Sequence, residues 1–231
     1  MTETANVAPL RPTLTLSIVS DTICPWCFIG KRRLETALPL LGEQGYRFDV
    51  EWRPYQLNPD MPDVGVNRRD YRSAKFGWER SQELDAMVVE AGREVGIDFR
   101  YDLIDRTPNT LASHVMLADA LCAGGEAMQG KAVEALFTAY FVEGRDVGKQ
   151  DVLRDIAASV GFEHGRSVNA RLWEVVQAED LQAREAGLNG VPSFLLEGHF
   201  MFSGAQPTDV LVKTLRHAVD MLSSTQLDLP T

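Results

Sequence analysis

The chain has 231 residues, of which 45% are hydrophobic and 24% are charged, and its formal net charge is −10. These proportions are typical of a globular protein, and the acidic balance argues against nucleic acid or an anionic membrane as a partner, because both favour basic surfaces. No apolar run reaches the roughly 20 residues of a membrane-spanning helix, and the length allows one large domain or one domain with an insertion.

Residues 1–12 are rich in threonine, alanine and proline, and we predict that they form a flexible tail. They lack the basic start and apolar segment of a secretory signal peptide, so we predict a cytoplasmic protein. Thiols are kept reduced in that compartment, where a protein disulfide is usually catalytic or redox-sensing.

The first part of the chain predicts the order strand, helix, strand. Residues 13–20 are mostly apolar or β-branched and predict a strand. A helix is predicted from about Pro25 to Leu41, with Gly42 as its stop. Residues 47–54 alternate between polar and apolar side chains and predict a second strand.

Apolar residues recur at helical spacing through the middle of the chain, from about Tyr71 to Gly187. Separate helices are predicted around residues 83–95, 111–121, 132–140, 151–160 and 168–187. The predicted boundary residues are Asn109 or Thr110 as a cap, Asp151 as a cap, Gly161 as a stop and Gly187 as a stop.

The last part of the chain returns to strand patterns. Residues 190–196 predict a strand, 197–199 a hairpin turn and 200–202 the pairing strand. Pro207 is suited to the start of a closing helix from Thr208 to Leu222. We predict a second flexible tail over residues 223–231.

This order of elements predicts an α/β, thioredoxin-like fold with a large all-helical insertion between its βαβ and ββα halves. The helical stretch is too long for a simple crossover between strands. We therefore predict a discontinuous thioredoxin-like domain over residues 13–62 and 188–222 and an inserted helical domain over 63–187.

Cys24, Pro25, Trp26 and Cys27 lie between the first predicted strand and the first predicted helix. Unpaired N–H groups and the helix dipole stabilise an anion at such a position, which should lower the pKa of the Cys24 thiol and make it a nucleophile. Cys27, one turn later, can attack a mixed disulfide formed at Cys24. Pro25 suits the first helical position, and we predict that Pro25 and Trp26 tune the thiolate. The pattern favours thiol–disulfide exchange.

Two other uses of a cysteine pair are less consistent with the sequence. A structural zinc site needs a second ligand pair, whereas the four histidines are scattered singly and the third cysteine, Cys122, stands alone, so no metal site is predicted. A structural disulfide across two residues would restrict the unfolded chain little. Cys122 is predicted to pack as a small apolar residue, with a regulatory thiol as the alternative.

Motifs spread along the chain resemble the DsbA-like thioredoxin superfamily, and specifically its cytoplasmic FrnE-like branch. The resemblance covers residues 13–222, nearly the whole chain. The motifs that carry it are residues 21–31 around the cysteine pair, Leu57-Asn58-Pro59-Asp60-Met61-Pro62, Pro108-Asn109-Thr110, Gly190-Val191-Pro192-Ser193-Phe194 and Ser203-Gly204-Ala205-Gln206-Pro207.

The resemblance implies a cis peptide bond before Pro192, facing the cysteine pair, so that the backbone of Val191 could pair with a substrate strand. It also implies that Trp26 and Phe28 form an apolar substrate rim, with core packing as an equal alternative for Phe28. Lys31 is expected on a solvated helix face.

The predicted architecture also resembles that of the kappa-class glutathione transferases and the 2-hydroxychromene-2-carboxylate isomerases. Those proteins carry serine at the start of the reactive helix. Cys24 and Cys27 therefore favour a disulfide oxidoreductase or isomerase acting on protein or small-molecule thiols, with a glutathione-dependent isomerase or transferase as the alternative. A chaperone-like binder is a third hypothesis. No cofactor is required, and glutathione is a candidate redox partner or ligand at Val191, Ser203 and Gln206. Both monomer and homodimer are compatible with the sequence.

Overall fold

The computed structural model describes residues 12–165 and 168–227, with side chains as far as Leu222. The strands are β1 (Thr13–Ser20), β2 (Arg47–Pro54), β3 (Val66–Asn67), β4 (Arg106–Thr107), β5 (Ser193–Leu196) and β6 (His199–Ser203). The helices are α1 (Pro25–Glu43), α2 (Arg68–Phe76), α3 (Trp78–Arg93), α4 (Leu111–Phe141), α5 (Gln150–Val160), α6 (Ala170–Glu185) and α7 (Thr208–Leu227), with a 3₁₀ turn at Tyr101–Leu103.

A four-stranded mixed sheet has the order β2-β1-β5-β6. β1 is parallel to β2 and antiparallel to β5, and β5 continues antiparallel into β6. The register pairs Ile18 of β1 with Trp52 on one side and Phe194 on the other, and Ile18 is completely buried. β1 is therefore a central strand, and its carboxyl end leads directly into the cysteine pair.

Five helices, α2 to α6, lie between β2 and β5 in the described part of the chain, so the predicted α/β, thioredoxin-like fold with a helical insertion is confirmed. α1 packs against α7, and α4 packs against β2. Buried apolar residues from both parts of the chain form one continuous core. Its centre is aromatic: the ring of Phe28 in α1 stacks 5.1 Å from the ring of Phe137 in α4.

Several predicted boundaries are wrong by one or more residues. α1 continues through Gly42 to Glu43, and the chain turns at Gly45. The φ of Gly45 is 85°, a positive value that glycine adopts readily because it has no side chain. Lys149 precedes the first residue of α5, and Asp151 lies in its first turn rather than at its cap. Of the two candidate caps before α4, Thr110 holds the cap position, while the side chain of Asn109 accepts a hydrogen bond from Leu111 N.

Other helices differ in extent. The two helices predicted over 111–121 and 132–140 correspond to the two parts of α4, which are longer than predicted and are separated by non-helical backbone at Gly124 and Gly125. The helix predicted over 168–187 begins at Ala170 and ends at Glu185. α7 extends to Leu227, which corrects the first five residues of the predicted tail, and residues 1–11 and 228–231 of the two predicted tails lie outside the described residues. In the described ranges, none of the helices has the length and apolar character needed to cross a membrane.

Candidate active site

The cysteine pair lies where β1 passes into α1. Cys24 is the residue immediately before the helix and has an extended backbone. Pro25 follows in the first turn, where backbone N–H groups have no partner within the helix, so the missing N–H of proline costs no hydrogen bond. The backbone N–H of Cys27 donates to the carbonyl of Cys24 at 3.0 Å. This geometry places Cys24 at the positive end of a 19-residue helix.

The loop before β5 meets Cys24 from the other half of the fold. The Cys24 thiol donates a hydrogen bond to the carbonyl oxygen of Val191, with sulfur and oxygen 3.5 Å apart. The Val191–Pro192 peptide bond is cis. The backbone N–H of Gly204, directly after β6, donates to the Pro192 carbonyl at 2.7 Å and holds the loop in place.

Gly30 allows α1 to approach this loop closely. A Cβ atom at Gly30 would lie only 3.2 Å from Cγ of Pro192, which is tighter than most side-chain contacts. The absence of a side chain at Gly30 therefore helps to set the distance between the helix that carries Cys24 and the loop that carries Val191.

The two sulfurs have different surroundings. Cys24 is 4% exposed and Cys27 is completely buried, and both are free thiols. Burial raises the pKa of Cys27 well above its ordinary value, and the hydrogen bond to Cys24 and the charge of Cys24 raise it further. The Ser20 side chain and the Asp21 backbone act in the opposite direction and lower it. Cys27 is therefore held as a thiol at neutral pH, beneath the more accessible Cys24.

A buried carboxylate supports the loop before Cys24, and the sequence reasoning assigned it no role. Asp21 is completely buried, and its Oδ2 accepts a hydrogen bond from the backbone N–H of Leu57 at 2.6 Å. Nε2 of the buried His114 lies 3.5 Å from Asp21 Oδ1. The available signal was an acidic residue directly after an apolar strand and three residues before Cys24. In the described residues, the histidines, cysteines and carboxylates form no group of three suited to a metal ion.

The predicted site residues beside Cys24 occupy different environments. Trp26 is 37% exposed and lies at the surface, as a substrate rim requires. Phe28 is 1% exposed and packs in the aromatic core, which corrects the predicted rim role in favour of core packing. Its side chain points inward because the positions three and four residues apart on α1 form the helix's buried face.

Two further expectations are corrected by burial. Lys31 is buried rather than solvated, and its Nζ pairs with Glu134 at 2.8 Å and with Glu35, which satisfies a charge that would otherwise be costly to bury. Cys122, on α4, is exposed rather than packed as an apolar residue.

Ser203 is the last residue of β6, and Gln206 lies in the loop that follows this strand. Ser203 Oγ and Ser193 Oγ are 2.7 Å apart, and Ser193 directly follows Pro192. Gln206 Nε2 donates to the Ser203 carbonyl at 3.0 Å. The fold thus brings Val191 to Cys24, while these two side chains brace the loop beside it.

A strand-to-helix cysteine pair facing a proline loop, on a mixed sheet with a helical insertion, defines a thioredoxin-like protein of the DsbA architecture. A model of the DSBA-like thioredoxin domain family matches residues 15–216, and the chain belongs to this family.

Three comparisons extend this assignment. The uncharacterized protein YwbO of Bacillus subtilis is 25% identical over 209 residues, which cover 88% of this chain and 96% of YwbO. The crystal structure of the probable DsbA oxidoreductase SCO1869 from Streptomyces coelicolor superposes with a TM-score of 0.77 at 26% identity, covering 89% of both chains. A 2-hydroxychromene-2-carboxylate isomerase shares the fold, with a TM-score of 0.62 at 16% identity over 94% of this chain and all of that one.

Proposed function

We propose that the protein is a dithiol–disulfide oxidoreductase in which Cys24 attacks and Cys27 resolves. The observation that carries the proposal is the position of Cys24 at the N-terminus of α1, with its sulfur 3.5 Å from the Val191 carbonyl and Cys27 buried behind it. Family membership and the likeness to a probable DsbA oxidoreductase support the same class of reaction.

In the reductive direction, the Cys24 thiolate attacks one sulfur of a substrate disulfide. A bond forms between Cys24 Sγ and that sulfur, the substrate S–S bond breaks, and the other sulfur leaves as a thiolate that takes up a proton. The helix N-terminus stabilises the attacking anion, because its N–H groups and dipole favour negative charge.

In the second step, Cys27 loses its proton and attacks Cys24 Sγ. A disulfide forms between the two cysteines, the bond from Cys24 to the substrate breaks, and the second substrate sulfur leaves as a thiolate that is then protonated. The substrate gains two electrons and the cysteine pair loses two, while a thiol of another molecule must return the pair to the reduced state. The raised pKa of Cys27 delays its attack, because only the thiolate is nucleophilic.

Substrate binding is proposed to use the Val191 backbone and the surface beside Trp26. An extended segment can add main-chain hydrogen bonds to such a backbone, and an exposed indole offers apolar contact. Protein or small-molecule thiols, with glutathione among them, are the proposed partners. The FrnE-like type and a cytoplasmic location are part of the same proposal.

The test is insulin reduction and reactivation of scrambled ribonuclease by the wild type, Cys24→Ser and Cys122→Ser, each with and without glutathione. We expect Cys24→Ser to abolish both activities and Cys122→Ser, at the exposed cysteine, to retain them. Full activity of Cys24→Ser would overturn the proposal. Isomerase turnover that needs glutathione without oxidation of the cysteine pair would instead favour the alternative enzyme class, and holdase activity alone would favour a chaperone-like binder.

A further inference from the structure

A small pocket beside the cysteine pair has a charge opposite to that of the whole chain. It has a volume of about 120 Å³, and the residues on both sides of Cys24, Ile23 and Pro25, line its wall. Three cations, Arg68, Arg72 and Lys75, also line it. No aspartate or glutamate is among the described residues of its lining, although the formal net charge of the chain is −10.

The cations of this pocket are only partly neutralised. The two carboxylate oxygens of Asp85, behind the pocket, accept from Arg68 and Arg72, each at 2.7 Å. The ammonium of Lys75 donates to neutral oxygens, those of Tyr71 at 2.6 Å and Asn58 at 3.2 Å. Among these side chains and their hydrogen-bond partners, three positive charges meet one negative charge, and this excess of positive charge favours an anion in the pocket.

A second, independent feature of the pocket is an unused hydrogen-bond donor. Tyr101 is among the residues that line the pocket, and its hydroxyl is buried and has no hydrogen-bond partner among the described residues. Buried polar groups are nearly always paired, so this hydroxyl is available to donate to a water or to a ligand. The pKa of Tyr101 is raised well above its ordinary value, chiefly by burial, which keeps the phenol protonated and able to donate.

We infer that this pocket is a specificity subsite that receives a carboxylate of the substrate while the neighbouring substrate sulfur reacts at Cys24. The inference rests on the proposed function and names its substrate class: thiols or disulfides that carry an acidic group near the sulfur. A carboxylate fits because it accepts both the phenol hydrogen of Tyr101 and the ammonium hydrogens of Lys75. The volume suits a short acidic arm rather than a second ring system.

The test uses single turnovers of the reduced protein, in which its own two thiols supply both electrons. The small-molecule arm compares 3,3′-dithiodipropionate with its diamide. The peptide arm compares the disulfide dimer of N-acetyl-Cys-Glu-amide with that of N-acetyl-Cys-Gln-amide. The variants are Tyr101→Phe and Lys75→Gln, with Lys213→Gln on α7 as the control, because it removes the same charge at a distant exposed site.

We expect the wild type to react at least tenfold faster with the acid than with the amide in the small-molecule arm, the peptide arm or both. The arm that shows this preference tells whether the carboxylate belongs to a small molecule or to a peptide. Tyr101→Phe and Lys75→Gln should each reduce this preference by about tenfold, as expected for loss of a charged hydrogen bond, and should act on the apparent affinity rather than the limiting rate. Lys213→Gln should retain the preference. Thermal unfolding of Tyr101→Phe should match the wild type, because the hydroxyl removed has no protein partner.

Equal rates for acid and amide in both arms of the wild type would overturn the inference and leave the proposed function intact. A preference that survives in both Tyr101→Phe and Lys75→Gln would also overturn it. If no disulfide reacts, the proposed function fails, and calorimetry with N-acetyl-Ser-Glu-amide and N-acetyl-Ser-Gln-amide decides the subsite separately. Tighter binding of the glutamate peptide, lost in Tyr101→Phe, would support the subsite, and equal binding would overturn it.

Discussion

The buried carboxylate of Asp21 accepts a 2.6 Å hydrogen bond from the backbone N–H of Leu57. This bond joins the loop after β1, which carries Cys24, to the segment after β2, which lines the basic pocket. It crosses 36 residues of sequence, so it fixes the relative position of two walls of the site.

Replacing Asp21 by alanine should lower the free energy of unfolding by about 1.5–3 kcal/mol, because the hydrogen bond from the Leu57 N–H to a completely buried charged acceptor would be lost. Asp21→Asn should cost clearly less, since its amide oxygen can still accept that hydrogen bond. Urea denaturation of both variants measures the difference. Equal losses for the two substitutions would show that the hydrogen bond to Leu57 is not what Asp21 contributes.

The raised pKa of Cys27 predicts how the stability of the reduced protein depends on pH. The folded state retains the Cys27 proton to higher pH than the unfolded state, so this residue destabilises the fold as pH rises above the ordinary thiol pKa. The slope is at most about 1.4 kcal/mol per pH unit, and no effect is expected near neutral pH. The measurement is urea denaturation of the wild type and Cys27→Ala, both reduced, between pH 7 and 10.

Tyr101 and Tyr140, whose pKa values burial raises, are common to both proteins, so their contributions cancel in the difference. The wild type should therefore lose more stability than Cys27→Ala over this interval. Parallel curves for the two proteins would contradict the raised pKa.

Gly30→Ala should reduce the rate of disulfide reduction with little change in stability. A Cβ atom 3.2 Å from Pro192 Cγ must push the loop away from α1 and change the 3.5 Å approach of Cys24 to Val191. The gain in helix propensity of up to about 1 kcal/mol opposes the cost of crowding. The measurement is insulin reduction together with urea denaturation.

Gly130→Ala is the matched control for this variant. A Cβ atom at Gly130, inside α4, meets no atom within 4 Å apart from its chain neighbours and the nearby backbone of its own helix, so this substitution should stabilise the protein by about 0.5–1 kcal/mol and leave activity unchanged. Wild-type activity in Gly30→Ala would show that the loop tolerates the added methyl group.

Substitutions at Phe28 and Trp26 should have different effects, the first on stability and the second on substrate binding. Phe28→Ala leaves a cavity in the aromatic core and should cost about 3–5 kcal/mol in the free energy of unfolding. Trp26→Ala, at the surface, should change stability by less than about 0.5 kcal/mol and raise the KM for a protein substrate. Denaturation and steady-state insulin reduction measure the two effects. A large loss of stability in Trp26→Ala would contradict its placement at a rim.

Local patterns were sufficient to predict much of the fold. The bounds of β1 and β2 agree with their sequence patterns, because alternating and β-branched residues act within a single strand. The break inside α4 is a local feature of the same kind, because the non-helical backbone at Gly124 and Gly125 lies between the two helices that the apolar spacing predicts.

The sequence alone determined the order of elements and the place of Cys24 and Cys27 at the start of a helix, because both follow from spacing along a short segment. Only the tertiary structure decided that Lys31 is buried beside Glu134, that Phe28 belongs to the core, and that a basic pocket adjoins Cys24. The physical reason is that burial, ion pairing and pocket shape arise where distant segments pack together. The contact of Cys24 with Val191 spans 167 residues, and no local periodicity encodes such a distance.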